Sequence, residues 1–230
     1  ADPLRNIHIS RIYDIFSDLE LHAMRTKLSQ YTGGYTVRPF VFQESAHHDL
    51  VEEGSSHFYY HDSILEEYPE RIILPIDEDI RSKIHECNDY DVLELFEDGT
   101  LIRQFDVCAD DTVFFITETC NSNCVMCPMP PASRKNGHAP EIDRLIMIAR
   151  QIPVTASHIT ITGGEPFMAG MDLFRLLSFF REKFEHTEFL ILTNGRALAV
   201  KSYQTAIVDS LPMNSIIGIP LHAATADVHD

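Results

Sequence analysis

Basic residues are scarce in this chain of 230 residues. Lysine and arginine together number 18 against 35 aspartates and glutamates, which gives a formal net charge of −17. The first 112 residues hold 9 basic and 24 acidic residues, so the acidity is concentrated there. Proteins bind nucleic acids largely by neutralising phosphates with Lys and Arg, so we expect no nucleic-acid partner. The acidic excess is either a solvated surface or an attraction for a basic or histidine-containing peptide.

The sequence also lacks a run of 18 apolar residues, and it shows no charged-then-apolar leader. A membrane-spanning helix needs about 20 predominantly apolar residues. We therefore expect no membrane partner and a cytoplasmic location. The five cysteines do not form the regular pattern of a disulfide framework. Cys87 and Cys108 are predicted to be buried apolar residues.

The other three cysteines, Cys120, Cys124 and Cys127, stand four and three residues apart. Thiolates at this spacing can converge on one metal centre, and a [4Fe–4S] cluster is held by cysteine thiolates, normally four of them. Three thiolates would leave one iron open to a ligand from outside the protein. The alternative is zinc, which prefers four tetrahedral ligands. One of the two other cysteines or His138 would then have to complete the site.

Strands and helices are predicted to alternate around and after this motif. Short runs rich in β-branched and aromatic residues indicate buried strands, whereas apolar residues every three or four positions indicate helices. Such alternation predicts a parallel sheet whose ligand sites lie at the carboxyl ends of the strands. The cysteine motif and the turn at 163–166 both follow such ends. The predicted strands are 112–117, 157–162, 188–193 and 215–220, and the predicted helices are 141–152, 172–184 and a segment within 200–211. The first of these helices is expected to present Ile142, Leu145, Ile146, Ala149 and Ile152 on its apolar face.

The cysteine motif and the turn Gly163-Gly164-Glu165-Pro166 together resemble the signature of the radical S-adenosylmethionine (radical SAM) superfamily. The resemblance implies an α/β fold in which residues 112–230 form a partial (β/α)6 barrel with about four strands present. It also implies a [4Fe–4S] cluster on the three cysteines, with SAM bound at the open iron. An external electron donor would reduce the cluster, and reductive cleavage of SAM would supply a 5′-deoxyadenosyl radical.

The same resemblance implies a set of cofactor-binding residues but identifies no catalytic residue. Gly163 and Gly164 would let backbone approach SAM, because glycine has no Cβ. Glu165 would accept a hydrogen bond from the SAM amino group. Met126 occupies a position that is usually aromatic in the superfamily and meets adenine. The remaining candidates, after the third and fourth predicted strands, are Asn194 and His222.

A narrower resemblance is to the HxsC-type maturases of the His-Xaa-Ser peptide system. It rests on the cysteine motif, Pro130-Pro131, Arg134, and the segments 162–166, 172–174 and 192–196. This resemblance implies an enzyme that modifies a ribosomally made peptide with His-Xaa-Ser repeats, alongside a second radical SAM maturase. The alternatives are a radical SAM enzyme that acts on RNA or a small molecule, and a non-catalytic peptide-binding module that carries zinc or a cluster.

Residues 1–111 are predicted to form a small acidic α+β accessory domain. Histidines at 47–48 and 57–61 are expected to be ordinary core or surface residues. A complete barrel of six strand–helix units, each of ~30 residues, would extend beyond residue 230, so we expect the chain to be a fragment. The predicted elements are a helix at 12–28, extended segments at 35–42 and 71–76, and a hairpin at 92–105 with Asp98-Gly99 as its two-residue turn.

Overall fold

The computed structural model describes residues 7–9, 39–43, 57–61, 64–68, 72–75, 85, 87–95 and 101–221. Contacts divide the chain into two compact units. One contains Ala1–His8, Asp110–Ile146 and Val154–Asp230, and the other contains Ile9–Ala109 and Met147–Pro153. No helix in the described part of the chain is long and apolar enough to cross a membrane.

The described elements follow one another in the order of their labels. The strands are β1 (Ile7–Ile9), β2 (Pro39–Gln43), β3 (His57–His61), β4 (Ile64–Tyr68), β5 (Ile72–Pro75), β6 (Val92–Leu95), β7 (Leu101–Phe105), β8 (Thr112–Phe115), β9 (His158–Thr162), β10 (Glu188–Leu192) and β11 (Ser215–Gly218). The helices are α1 (Pro131–Asn136), α2 (Ile142–Gln151), α3 (Asp172–Lys183) and α4 (Lys201–Ser210), with 3-10 turns at Pro166–Ala169 and Arg196–Ala199.

A parallel sheet forms the centre of the first unit. Its strand order is β1-β8-β9-β10-β11, and β8 to β11 run parallel to one another. Phe114 pairs with Ile161, Ile161 pairs with Ile191, and Ile191 pairs with Ile217. The predicted α/β alternation and parallel sheet are therefore confirmed. β8 is shorter than predicted, although the amide of Ile116 still donates to the carbonyl of Thr162 at 2.8 Å.

The apolar faces of α2 and α3 are buried as the sequence pattern predicted, with one correction. On α3, Leu173, Leu176, Leu177 and Phe180 are fully buried, and the Phe180 ring lies 5.0 Å from that of Phe114 and 5.3 Å from that of Phe189. On α2, Ile148 is buried instead of Ile146, which is half-buried. Ile148 follows Leu145 by three positions on the same face, whereas Ile146 lies one position round the helix.

The second unit contains a six-stranded sheet with the order β5-β4-β3-β2-β6-β7. β2 and β3 are parallel, and the other pairs are antiparallel. The predicted hairpin at 92–105 is present as the antiparallel pair β6 and β7. Its predicted Asp98-Gly99 turn and the predicted helix at 12–28 lie outside the described residues. The α+β accessory domain therefore stays a prediction.

A buried carboxylate closes the end of this hairpin. Asp91 accepts hydrogen bonds from the amide of Asn88 at 2.9 Å, the amide of Val107 at 2.9 Å and the guanidinium of Arg103 at 3.0 Å. Burial raises the pKa of the Asp91 carboxyl, and these hydrogen bonds act against that rise. Through these three hydrogen bonds, Asp91 links the segment before β6 to β7 and to the segment that follows β7.

Candidate functional site

An open cavity of about 470 Å³ lies at the carboxyl ends of β8 to β11. Its volume is within the range of small-molecule pockets. Each of the strands β8 to β11 is followed by a different part of its wall, because parallel strands end at the same edge of a sheet. The lining includes Cys120, Cys124, Cys127, Arg134, Gly163, Gly164 and Asn194.

The segment 117–130, called the cysteine loop below, brings all three predicted cluster ligands to this cavity. Its start is fixed to α1, because the amide of Cys120 donates to the carbonyl of Arg134 at 2.9 Å. The amide of Cys127 donates to the carbonyl of Cys124 at 3.2 Å, and the amide of Ser122 donates to the Cys120 sulfur at 3.4 Å. All three thiols are half-buried.

The three thiols do not surround a single metal position. Among the described residues, no three His, Cys, Asp or Glu side chains lie close enough together to hold a metal ion. Cys87 is buried as predicted, but the prediction for Cys108 is wrong because its side chain is exposed. Cys108 lies in a turn after β7, where its amide donates to the Asp106 carboxylate at 2.9 Å.

The two glycines of the 163–166 turn pack against the backbone at the start of the cysteine loop. Gly163 has a φ of +151°, and a Cβ there would lie 2.6 Å from the carbonyl oxygen of Thr117. A Cβ on Gly164 would collide with the carbonyl oxygens of Thr119 and Glu118. The amide of Gly164 donates to the carbonyl of Thr117 at 2.7 Å. Glycine is therefore required here by contact with the chain itself, while both residues also line the cavity.

Glu165 lies behind the cavity wall and not in it. The residue is 1 % exposed and is absent from the lining. One carboxylate oxygen accepts from the amide of Phe167 at 3.1 Å and from the hydroxyl of Thr193 at 2.7 Å. The other oxygen accepts from the amide of Asn194 at 2.7 Å. The carboxylate that the resemblance assigns to the SAM amino group thus accepts three hydrogen bonds within the protein.

Asn194 is brought to the cavity as expected, and its side chain reaches the cysteine loop. Its Nδ2 donates to Oδ1 of Asn121 at 2.7 Å and to the hydroxyl of Ser122 at 3.2 Å. Its Oδ1 accepts from the amide of Arg196 at 3.0 Å. Met126 is 63 % exposed and does not line the cavity. His222 lies outside the described residues.

Arg134 is a cavity residue to which sequence reasoning gave no role. It lies on α1, a short helix that was not predicted, and is only 8 % exposed. Its Nη1 donates to the carbonyl of Cys124 at 3.4 Å, and its buried Nε has no hydrogen-bond partner among the described atoms. A buried cation normally has an anionic partner. The feature of the sequence that could have indicated this residue is the presence of an arginine soon after the cysteine motif.

The comparison with known families agrees with this arrangement. The sequence profile of the radical SAM superfamily matches residues 114–230, which are just over half of the chain. The chain belongs to the radical SAM superfamily. No curated protein and no solved structure matches the chain significantly. Membership implies SAM-dependent radical chemistry with a [4Fe–4S] cluster.

The residues at the cavity fit these cofactors chemically. Three thiols with no fourth cysteine beside them suit a cluster that keeps one iron open. The unpartnered Nε of Arg134 suits a site that receives negative charge. The cofactor set implied by the sequence is therefore compatible with the side chains that line the cavity.

Proposed function

We propose that residues 112–230 form part of a radical SAM barrel and that the protein modifies a ribosomally made peptide of the His-Xaa-Ser type. The observation that carries the proposal is that Cys120, Cys124, Cys127 and the Gly163-Gly164 turn all line one cavity at the ends of four parallel strands. When bound, the cluster and SAM supply a carbon radical able to remove hydrogen from an unactivated C–H bond.

In this proposal, the residues of the chain bind and orient the cofactors and shield the cavity that holds them. Cys120, Cys124 and Cys127 would hold the cluster through their thiolates. The Arg134 guanidinium would lie beside the negative charge that the cluster and the SAM carboxylate bring. The backbone at Gly163 and Gly164 forms the wall next to the cysteine loop. A low-potential cluster also favours a reducing compartment, so we propose a cytoplasmic location and an external electron donor.

Replacement of the cysteines tests the cluster part of the proposal. Serine at Cys120, Cys124 or Cys127 should abolish iron incorporation during anaerobic reconstitution, because each thiolate is one of only three protein ligands. Cys87→Ser is the matched control and should leave iron content unchanged, since this buried thiol belongs to the other unit. Iron content that is insensitive to all three loop replacements would contradict the assignment.

The peptide part rests on the narrower sequence resemblance and on charge. The first 112 residues hold 24 acidic against 9 basic residues, which favours a basic or histidine-containing peptide. A second radical SAM maturase would act alongside. Fluorescence anisotropy with a labelled His-Xaa-Ser repeat peptide should show binding that weakens as salt rises from about 0.05 to 0.5 M, because salt screens charge. An acidic control peptide of the same length that binds equally tightly would contradict this substrate class.

A further inference from the structure

The hydrogen bonds of Glu165 connect three separate segments of the site. Its own turn follows β9, while its partners Thr193 and Asn194 follow β10. Thr193 donates to Glu165 and accepts from the amide of Gly195 at 3.1 Å. A buried carboxylate is stable when its oxygens accept several hydrogen bonds, and this one accepts three.

Asn194 carries this connection from β10 to the cysteine loop. Glu165 fixes its backbone, and the amide of Arg196 fixes the orientation of its side chain by donating to Oδ1. Nδ2 must then point towards the loop, where it meets Asn121, Ser122 and, at 4.0 Å, the sulfur of Cys120. Asn194 therefore holds the two residues that directly follow Cys120, the first predicted cluster ligand.

The same turn holds the loop from β9 as well. The amide of Glu165 donates to the carbonyl of Thr119 at 2.9 Å, and the amide of Gly164 donates to that of Thr117. The start of the cysteine loop is thus attached to the ends of two neighbouring strands. Glu165 takes part in both attachments, by its amide to Thr119 and by its carboxylate to Asn194.

We infer that Glu165 and Asn194 are positioning residues that hold the Cys120 end of the cysteine loop against the ends of β9 and β10. The inference rests on the proposed function, since the loop is the proposed cluster site. It assigns Glu165 a role through the loop, in addition to the contact with SAM that the resemblance implies. Loss of either residue should then alter the loop even when no cofactor is present.

Two isosteric replacements separate this role from general stability. In Glu165→Gln, the new amide nitrogen faces the amide of Asn194 in one orientation and that of Phe167 in the other, so one hydrogen bond becomes a donor–donor contact in either case. In Asn194→Asp, an oxygen would replace Nδ2 and face Oδ1 of Asn121. Glu188→Gln and Asn214→Asp are matched controls, because they make the same chemical changes at exposed positions at the opposite end of the sheet.

Amide hydrogen exchange of residues 118–124 in the cofactor-free protein is the primary measurement. Both variants should exchange about tenfold faster there than the unmodified protein, which corresponds to ~1.4 kcal/mol, while exchange in α3 and both controls stays unchanged. The midpoint potential and iron content after anaerobic reconstitution should also change in both variants. If Glu165→Gln exchanges faster throughout the first unit, Asn194→Asp alone decides the outcome by the same criterion.

Two results would overturn the inference. Unchanged loop exchange in Asn194→Asp is one. The other is a Glu165→Gln variant in which exchange and cluster potential are unchanged and only SAM affinity is reduced. That result would assign Glu165 to direct cofactor contact alone. An unmodified protein that binds no iron would contradict the proposed function instead, and the exchange measurement would still decide the positioning role.

Discussion

Backbone packing decides the residue type at positions 163 and 164. The sequence alone suggested that both glycines exist to let a cofactor approach. The structure shows that a Cβ at either position would meet carbonyl oxygens of the segment 117–119. The two explanations are compatible, because the same residues line the cavity. The packing requirement, however, exists whether or not a cofactor is bound.

Gly164→Ala should destabilise the first unit by about 2–3 kcal/mol, a cost within the range of overpacked sites. The control is Gly218→Ala, where the backbone is not left-handed and the nearest atom to a new Cβ is Cδ2 at the end of the Leu192 side chain, 2.9 Å away. That flexible neighbour can shift, so the replacement should cost about 1 kcal/mol or less. Urea unfolding measures both values. An equal loss at the two positions would show that contact with 118–119 is not the cause.

Arg134 provides a second prediction at the scale of one residue. Arg134→Leu removes a buried positive charge from the cavity that contains the three cysteines. A positive charge stabilises the reduced, more negative cluster, so its removal should shift the midpoint potential to more negative values. The shift should be about 60 mV for each ~1.4 kcal/mol of lost charge stabilisation, because the couple transfers one electron. Spectroelectrochemical titration measures it.

The matched control for this shift is Arg150→Leu, which removes an exposed charge from the end of α2. Its midpoint potential should stay the same, since solvent screens an exposed charge. A potential that is equal in the unmodified protein and in Arg134→Leu would contradict a role for this guanidinium at the cluster.

At the scale of elements, α3 supports the site through the sheet beneath it. Phe180 is fully buried and stacks with aromatic side chains from β8 and β10, the strands that precede the cysteine loop and Asn194. Phe179, its neighbour, is only half-buried. The helix therefore packs on two of the strands that lead to the cavity wall.

Phe180→Ala should lower the free energy of unfolding by about 3–5 kcal/mol, because it removes a large buried side chain and leaves a cavity. Phe179→Ala, with the same chemical change at a half-buried position, should cost roughly 1 kcal/mol. Thermal and urea unfolding give both values. Similar costs for the two replacements would mean that the aromatic contacts to β8 and β10 contribute little.

At the scale of the whole molecule, periodicity predicted the elements of the first unit well. The strands around Phe114, Ile161 and Ile191 have the short apolar runs that buried parallel strands need, and their order along the chain gave the parallel sheet. Turn boundaries were less accurate. β8 ends at Phe115 because residues 117–119 already bend to pack on the two glycines.

The hydrogen-bond network of the site was beyond sequence reasoning. Glu165 and Asn194 are 29 residues apart, and Asn194 is 73 residues from Asn121. No pattern of spacing indicates that these side chains meet, because the contacts arise only when neighbouring strands end together. The exposure of Cys108 was missed for a related reason, since a local turn after β7 determines it. Residue types predicted the chemistry of the site, and the topology determines which atoms touch.

The central claim is that the cavity at the ends of β8 to β11 holds a [4Fe–4S] cluster with an iron open to SAM. Electron paramagnetic resonance of the anaerobically reconstituted and reduced protein, recorded with and without SAM, tests it most directly. The account predicts about four iron atoms per chain and a cluster signal that changes when SAM is added. Stoichiometric zinc without iron in anaerobically purified protein, or a cluster signal that SAM leaves unaltered, would contradict it.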